Sequence, residues 1–167
     1  VLEFRSQQIS VLGQVNVPGR YKIESHTTVL DAIAQAEGIK EDGADYAVIV
    51  RHDNGRTRRL QVDLLRAVRD VSGRPILSLQ NGDTIYVPKA AIFYIYGQVN
   101  EPNSYKLKPG TTVLQALSIG GGLTELASED KIKIRRRSGD GRLYTIRPQL
   151  DSLVRPNDVI FVDEGLF

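Results

Sequence analysis

The run from Lys131 to Arg137 sets Lys131, Lys133, Arg135 and Arg137 at every second position, with Ile132 and Ile134 between them. In an extended strand successive side chains point to opposite faces, so the four cations project together and the isoleucines turn inward. The ordinary role of such a row is a solvated face, where an exposed ion pair contributes only about 0–1 kcal/mol. Four like charges side by side nevertheless repel one another unless an anion lies opposite. The chemistry on offer is therefore anion recognition, either of an acidic polymer or of an acidic surface on a neighbouring subunit. Glu125, Glu129 and Asp130 are candidate acids for the second case.

The other reactive side chains do not converge on a site. Asp83 and Asp158 each follow a Gly or Asn and precede an apolar strand, which is the place of a turn residue and not of one of two paired acids. His26 and His52 show no positioned partner and read as surface residues. Gly120-Gly121-Gly122 follows a helical segment, so it stops that helix; a phosphate loop would precede one. Tyr21 and Tyr105 are candidate rings for stacking on a sugar, although packing of a turn on its sheet, with the hydroxyl in solvent, is the preferred reading. No catalytic, cofactor-binding or metal-ligating residue stands out, and the chain is not read as an enzyme. Without cysteine it has no disulfide, thiol nucleophile or Cys-based zinc site.

The elements that carry these residues come in two copies. Gly13-Gln14-Val15-Asn16-Val17-Pro18 recurs as Gly97-Gln98-Val99-Asn100-Glu101-Pro102, a spacing of 97 − 13 = 84, and 13 of 28 positions are identical between residues 13–40 and 97–124. At the same spacing Val48-Ile49-Val50-Arg51 is expected to answer Ile132-Lys133-Ile134-Arg135, which sets Ala47, Ile49, Arg51 and Asp53 opposite the cation row and pairs His52 with Arg136. Asp83 and Asp158 match at 158 − 83 = 75, so the first copy carries nine extra residues, placed within Leu64 to Pro75. Domains of residues 1–90 and 91–167 follow, meeting near Lys89 to Ala91.

Each copy predicts the order β-β-α-β-β-β, with a short extra helix at Val62 to Arg69 in the first. Opening strands are expected at Ile9 to Val15 and Ile92 to Val99, followed by a type II turn with Gly19 or Asn103 at positive φ. Thr28 and Thr112 begin helices through a capping box. Val29, Leu30 and Ile33, like Val113, Leu114 and Leu117, form the buried helical face. Along the strand at Ile92, Tyr94 and Tyr96 share one face and Phe93 and Ile95 the other, so one set is core and the other meets a neighbour. A helix on one face of a five-stranded mixed sheet is an α+β layer, the β-grasp arrangement.

Composition narrows the partners. With 22 Lys and Arg against 20 Asp and Glu, the net charge of +2 is far from that of a nucleic-acid-binding domain, and no nucleic-acid partner is expected. No apolar run approaches the about 20 residues of a membrane-spanning helix. A chain that starts at Val1 and holds no methionine is expected to be a piece of a longer product, whose upstream part would carry any signal peptide or lipidation site.

Gly-Gln-Val-Asn with Pro and Tyr-Lys, then Thr-Val-Leu-x-Ala-Ile/Leu and a Gly-rich helix exit, resembles the soluble ligand-binding β-grasp (SLBB) domain. Two in tandem, over Ile9 to Val162, are similar to the periplasmic part of bacterial polysaccharide export outer-membrane proteins. That resemblance implies a periplasmic, outer-membrane-associated protein that forms a homo-oligomeric ring around capsular or exopolysaccharide in transit, anchored by parts outside this chain and served by an inner-membrane export partner. No cofactor is implied. The alternative is a monomeric SLBB module that holds a soluble ligand or glycan. Within the ring reading, the cation row is assigned to the subunit contact, because tight holding of cargo at many repeated sites would slow its release.

Overall fold

A computed structural model describes residues 6–69 and 77–165 of the chain. It divides into two compact units, Val1–Ala90 and Ala91–Phe167. The first holds β1 (Gln7–Gly13), β2 (Gly19–Ile23), α1 (Val29–Gln35), β3 (Tyr46–Asp53), β4 (Arg56–Asp63), α2 (Leu64–Arg69) and β5 (Thr84–Val87). The second holds β6 (Ile92–Gly97), β7 (Asn103–Lys106), α3 (Val113–Ile119), β8 (Ala127–Arg137), β9 (Leu143–Ile146) and β10 (Val159–Glu164). Their sheets run β2-β1-β5-β3-β4 and β7-β6-β10-β8-β9. In each, the first and last strands of the unit lie parallel at the centre and the remaining neighbours are antiparallel. These are two tandem α+β domains, each a mixed sheet with one main helix.

A parallel pair needs a long crossover between its strands. The helix lies in that crossover and covers one sheet face. Ile9, Val11, Ile49, Ile85 and Val87 bury against Val29, Ala32 and Ile33. Phe93, Ile95, Ile132, Ile134, Ile160 and Val162 bury in the same way against Val113, Ala116 and Leu117. Burying one such side chain contributes about 1.5–3 kcal/mol. The expected helical face is shifted: alanine takes the inward place, and Leu114 is 54% exposed.

Both helices start as their sequences require. Thr28 accepts from the Asp31 N–H while Asp31 accepts from the Thr28 N–H, and Thr112 and Gln115 repeat the exchange. Both stop in a Schellman arrangement. The Gly38 N–H bonds to Ile33 O and that of Glu37 to Ala34 O; the Gly122 N–H bonds to Leu117 O and that of Gly121 to Ser118 O. The left-handed residues are thus Glu37 and Gly38, or Gly121 and Gly122. Gly120, the third glycine of that run, has φ −76 and is the cap residue itself.

Three expectations are corrected. The opening strands end earlier than predicted, at Gly13 and Gly97, where φ is 88 and 89. A Cβ there would lie 2.2 Å from Val87 O or Val162 O, so only glycine lets the chain turn this close to the last strand. The predicted type II turn is absent: neither Gly19 nor Asn103 has positive φ, and both begin return strands. The reversal is made by the loop after Gly13, which lies against the helix exit, as detailed below.

The third correction is one of register. Ile49 pairs with Ile85 and Ile134 with Ile160, so the third strand repeats at 134 − 49 = 85, not 84. Ala47 and Ile49 therefore answer Ile132 and Ile134, Arg51 answers Arg136, and His52 answers Arg137. The true counterparts of the cation row are Tyr46, Val48, Val50 and His52. A slip of one residue exchanges the two faces of a strand. Leu60 pairs with Ile49 and Ile146 with Ile134, which puts 86 − 75 = 11 extra residues, not nine, between Leu60 and Ile85. The short helix α2 opens that insertion, and its continuation at 70–76 lies outside the described residues.

Replacing Gly97 by alanine combines a left-handed backbone cost of about 1–3 kcal/mol with a clash against Val162 O. Gly19→Ala meets nothing within 4 Å and should change stability by less than about 0.5 kcal/mol. Urea unfolding of the two variants should separate them by at least about 1 kcal/mol; equal midpoints would contradict the placement of the turn.

Candidate functional site

Strand β8 delivers the predicted alternation. Ile132 and Ile134 are buried, while Lys131 and Lys133 are half-buried and Arg135 and Arg137 exposed on the sheet face away from α3. The same face collects aromatic side chains from the neighbouring strands. Phe161 of β10 lies between Tyr96 of β6 and Lys133 of β8 in the register, and Val159 lies between Tyr94 and Arg135. The rings of Tyr94 and Tyr96 stack with centroids 6.4 Å apart and 15° between planes. Tyr96 and Phe161 are 44% and 40% exposed. On this face the second domain therefore presents rings beside a row of cations.

Part of the charge is answered within the domain. Lys133 Nζ lies 2.7 Å from Asp163 Oδ2, Lys131 Nζ donates to Glu164 O at 3.3 Å, and Arg137 donates to Gly141 O at 3.0 Å. Arg135 forms no ion pair among the described residues. An open depression of about 600 Å³ lies at one end of the row, lined by Lys131, Lys133, Arg147, Phe161, Asp163 and Glu164 among its residues. Glu125, Glu129 and Asp130 form no ion pair with the row. In the first domain the corresponding face carries Tyr46, Val48, Val50 and His52 in place of the cations, and Leu12 and Tyr86 in place of Tyr96 and Phe161.

Tyr21 and Tyr105 lie elsewhere. Each sits on the return strand opposite a core residue, Ile9 or Phe93, and packs against the core, with the Tyr105 ring 6.0 Å from that of Phe93. Their hydroxyls, at the exposed surface, also bond back to the loop: Tyr21 donates to Val17 O, and Tyr105 to Glu101 O at 2.5 Å. They brace the loop that follows Gly13 and Gly97. The asparagine of that loop holds the helix exit, since Asn16 Nδ2 donates to Glu37 O at 2.6 Å and Asn100 Nδ2 to Gly121 O at 2.9 Å. The Gly-Gln-Val-Asn motif is a clamp on the C-terminus of the helix.

The largest feature that sequence reasoning missed is a buried ion pair in each domain. Arg51 donates to both carboxylate oxygens of Asp83 at 3.1 and 2.9 Å, and Arg136 to those of Asp158 at 3.0 and 2.8 Å. The aspartate side chains are 1% and 0% exposed. A backbone N–H three residues earlier, from Gln80 or Arg155, completes each carboxylate's shell. The second guanidinium nitrogen also reaches Ser78 O or Leu153 O. Hydrogen bonding to the aspartate raises each arginine's pKa above its ordinary value, against the opposing effect of burial. The residue types alone do not reveal it, because Arg51 meets an arginine at either spacing, Arg135 at 84 and Arg136 at 85, and only the strand pairing selects the second. His26 adopts a left-handed φ of 71 in a loop, and His52 contacts Thr57 Oγ1 at 3.0 Å on an exposed strand end.

Comparison with known proteins places this architecture. SLBB-domain models match residues 7–87 and 92–147. The chain belongs to the SLBB-domain family. Among curated SLBB relatives, the EPS I polysaccharide export outer membrane protein EpsA of Ralstonia nicotianae is 27% identical over 180 residues, covering 99% of this chain and 47% of its own length. EpsA of Ralstonia solanacearum matches at the same identity and coverage. The SLBB pair thus spans about half the length of these relatives.

Removing one partner of a buried pair leaves an uncompensated charge. Asp158→Ala should therefore cost about 3–5 kcal/mol, whereas Asp163→Ala, which breaks the exposed pair with Lys133, should cost about 0–1 kcal/mol. Denaturant titration of the two variants gives the comparison; similar losses would mean the Asp158 pair is not the structural one.

Proposed function

We propose that this SLBB pair is the periplasmic portion of an outer-membrane polysaccharide exporter, and that it associates with further copies into a ring lining the polymer's path. The observation that carries this reading is the match of 99% of the chain, both domains included, to EpsA, whose name assigns it to polysaccharide export at the outer membrane. The physical argument agrees. Each copy is a small domain whose core consists of one helix on one sheet face, and domains of this size gain stability from neighbours. The other sheet face of each unit carries exposed apolar side chains, Leu12 and Tyr86 in one, Tyr96 and Phe161 in the other. The pair acts by shape and association, as a conduit without catalysis, and an inner-membrane partner supplies the polymer.

A monomeric binding module is the second reading, favoured by the open depression beside Lys131, Lys133 and Phe161. Native mass and cross-linking of the protein in outer membranes separate the two. A defined multimer is expected, together with loss of polymer from the cell exterior, but not of its synthesis, when the protein is removed. Monomer alone would leave the binding module standing.

A further inference from the structure

The outer face of the second domain's sheet combines three kinds of group that rarely meet by accident on an open surface. Tyr96 and Phe161 are 44% and 40% exposed and adjacent in register, with the Tyr96 ring stacked on that of Tyr94. Lys131, Lys133 and Arg147 stand beside Phe161 around one depression. Asp163 and Glu164 line the same depression and present acceptor oxygens. The first domain has the same fold and an exposed ring at Tyr86, but Tyr46, Val48 and Val50 replace the lysines and Arg135, so the backbone does not impose the cation row.

We propose that this face is a contact site for an acidic polysaccharide, with sugar carboxylates on the lysines and Arg135 and the apolar side of a sugar ring on Phe161 and Tyr96. The inference rests on the export reading and deepens it by naming the class of polymer. A glycan of this kind asks for all three groups at once: cations for its carboxylates, a flat apolar ring for its C–H face, and acceptors for its hydroxyls. An acidic protein surface would use the cations but has no need of acceptors set among them. Asp163 already holds Lys133 at 2.7 Å, so Arg135, which forms no ion pair among the described residues, is the cation most open to a sugar carboxylate. The row is also open to solvent, with Arg135 and Arg137 exposed. Exposed ion pairs are individually weak and screened by salt, so a polymer held here is held loosely and is free to move on. That removes the objection that a conduit lined with binding sites would retain its cargo.

The test is a titration of the 167-residue chain, followed by backbone amide resonances, with a hexamer of galacturonate and separately with a neutral glucan hexamer. The acidic hexamer should shift resonances of β8, Tyr96 and Phe161, with an affinity that falls as sodium chloride is raised; the neutral one should not. Lys133→Gln with Arg135→Gln should weaken binding by about fivefold or more. Phe161→Ala should weaken it as well, while Tyr21→Phe should leave it unchanged. Unaltered thermal unfolding of each variant establishes that the fold is intact. Equal binding of both hexamers, shifts confined to other faces, or no binding by the wild type would each overturn the proposal. Salt-sensitive self-association that the double variant abolishes, without glycan binding, would assign the row to a subunit contact. None of these outcomes bears on the export reading, which stands or falls on polymer appearance outside the cell.

Discussion

Each domain is organised around a carboxylate that has left water. Asp83 and Asp158 sit at the start of the last strand, at the centre of the sheet, and are held by an arginine fork from the third strand. The same guanidinium bonds a carbonyl of the segment leading into that strand, Ser78 or Leu153. One side chain thereby fixes the entry of the central strand, its register against the neighbouring strand and the path of the preceding loop. The geometry is bidentate and a backbone N–H supplies a further donor, so the charge is satisfied. A buried pair of this kind contributes little over an apolar substitute, yet losing one partner is costly, which makes it a strict determinant of register.

A second constraint closes the other end of the domain. The glycine after the first strand passes so near the last strand's carbonyl that no Cβ fits, and the asparagine three residues later holds the exit of the helix. The tyrosine of the return strand then ties down the loop between them. Glycine, asparagine and tyrosine are separated in sequence but belong to one clamp, which explains why all three recur in both copies. Their role is to build the fold. The surface that distinguishes one domain from the other lies on the opposite sheet face, where strand positions are free of the core and can carry cations in one copy and apolar groups in the other.

That separation also sorts what the comparisons with relatives mean. The SLBB models match both domains, and the EpsA proteins match nearly the whole chain. The cation row and the rings beside it are on the outer face, which the architecture leaves open to change. Relatedness therefore speaks to the SLBB fold, whereas Lys131, Lys133, Arg135, Tyr96 and Phe161 make the outer face of this chain's second domain.

The sequence by itself determined the features set by local chemistry. The tandem repeat was legible as a direct match of residue types; the capping boxes at Thr28 and Thr112, the glycine-rich helix exits and the order of strands and helix were legible because each depends on residues within a few positions of one another. The alternation along Lys131 to Arg137 was legible for the same reason, since side-chain direction in a strand follows from its two-residue period. Only the tertiary structure decided what those faces meet. It showed that the third strand repeats at 85 and that Arg136 turns inward to Asp158 while Arg135 turns out. It also moved the first reversal from Gly19 to Gly13. The physical reason is common to these cases: strand pairing and burial are contacts between distant segments. An offset of one residue, invisible to an ungapped comparison of the two copies, exchanges core for surface along a whole strand.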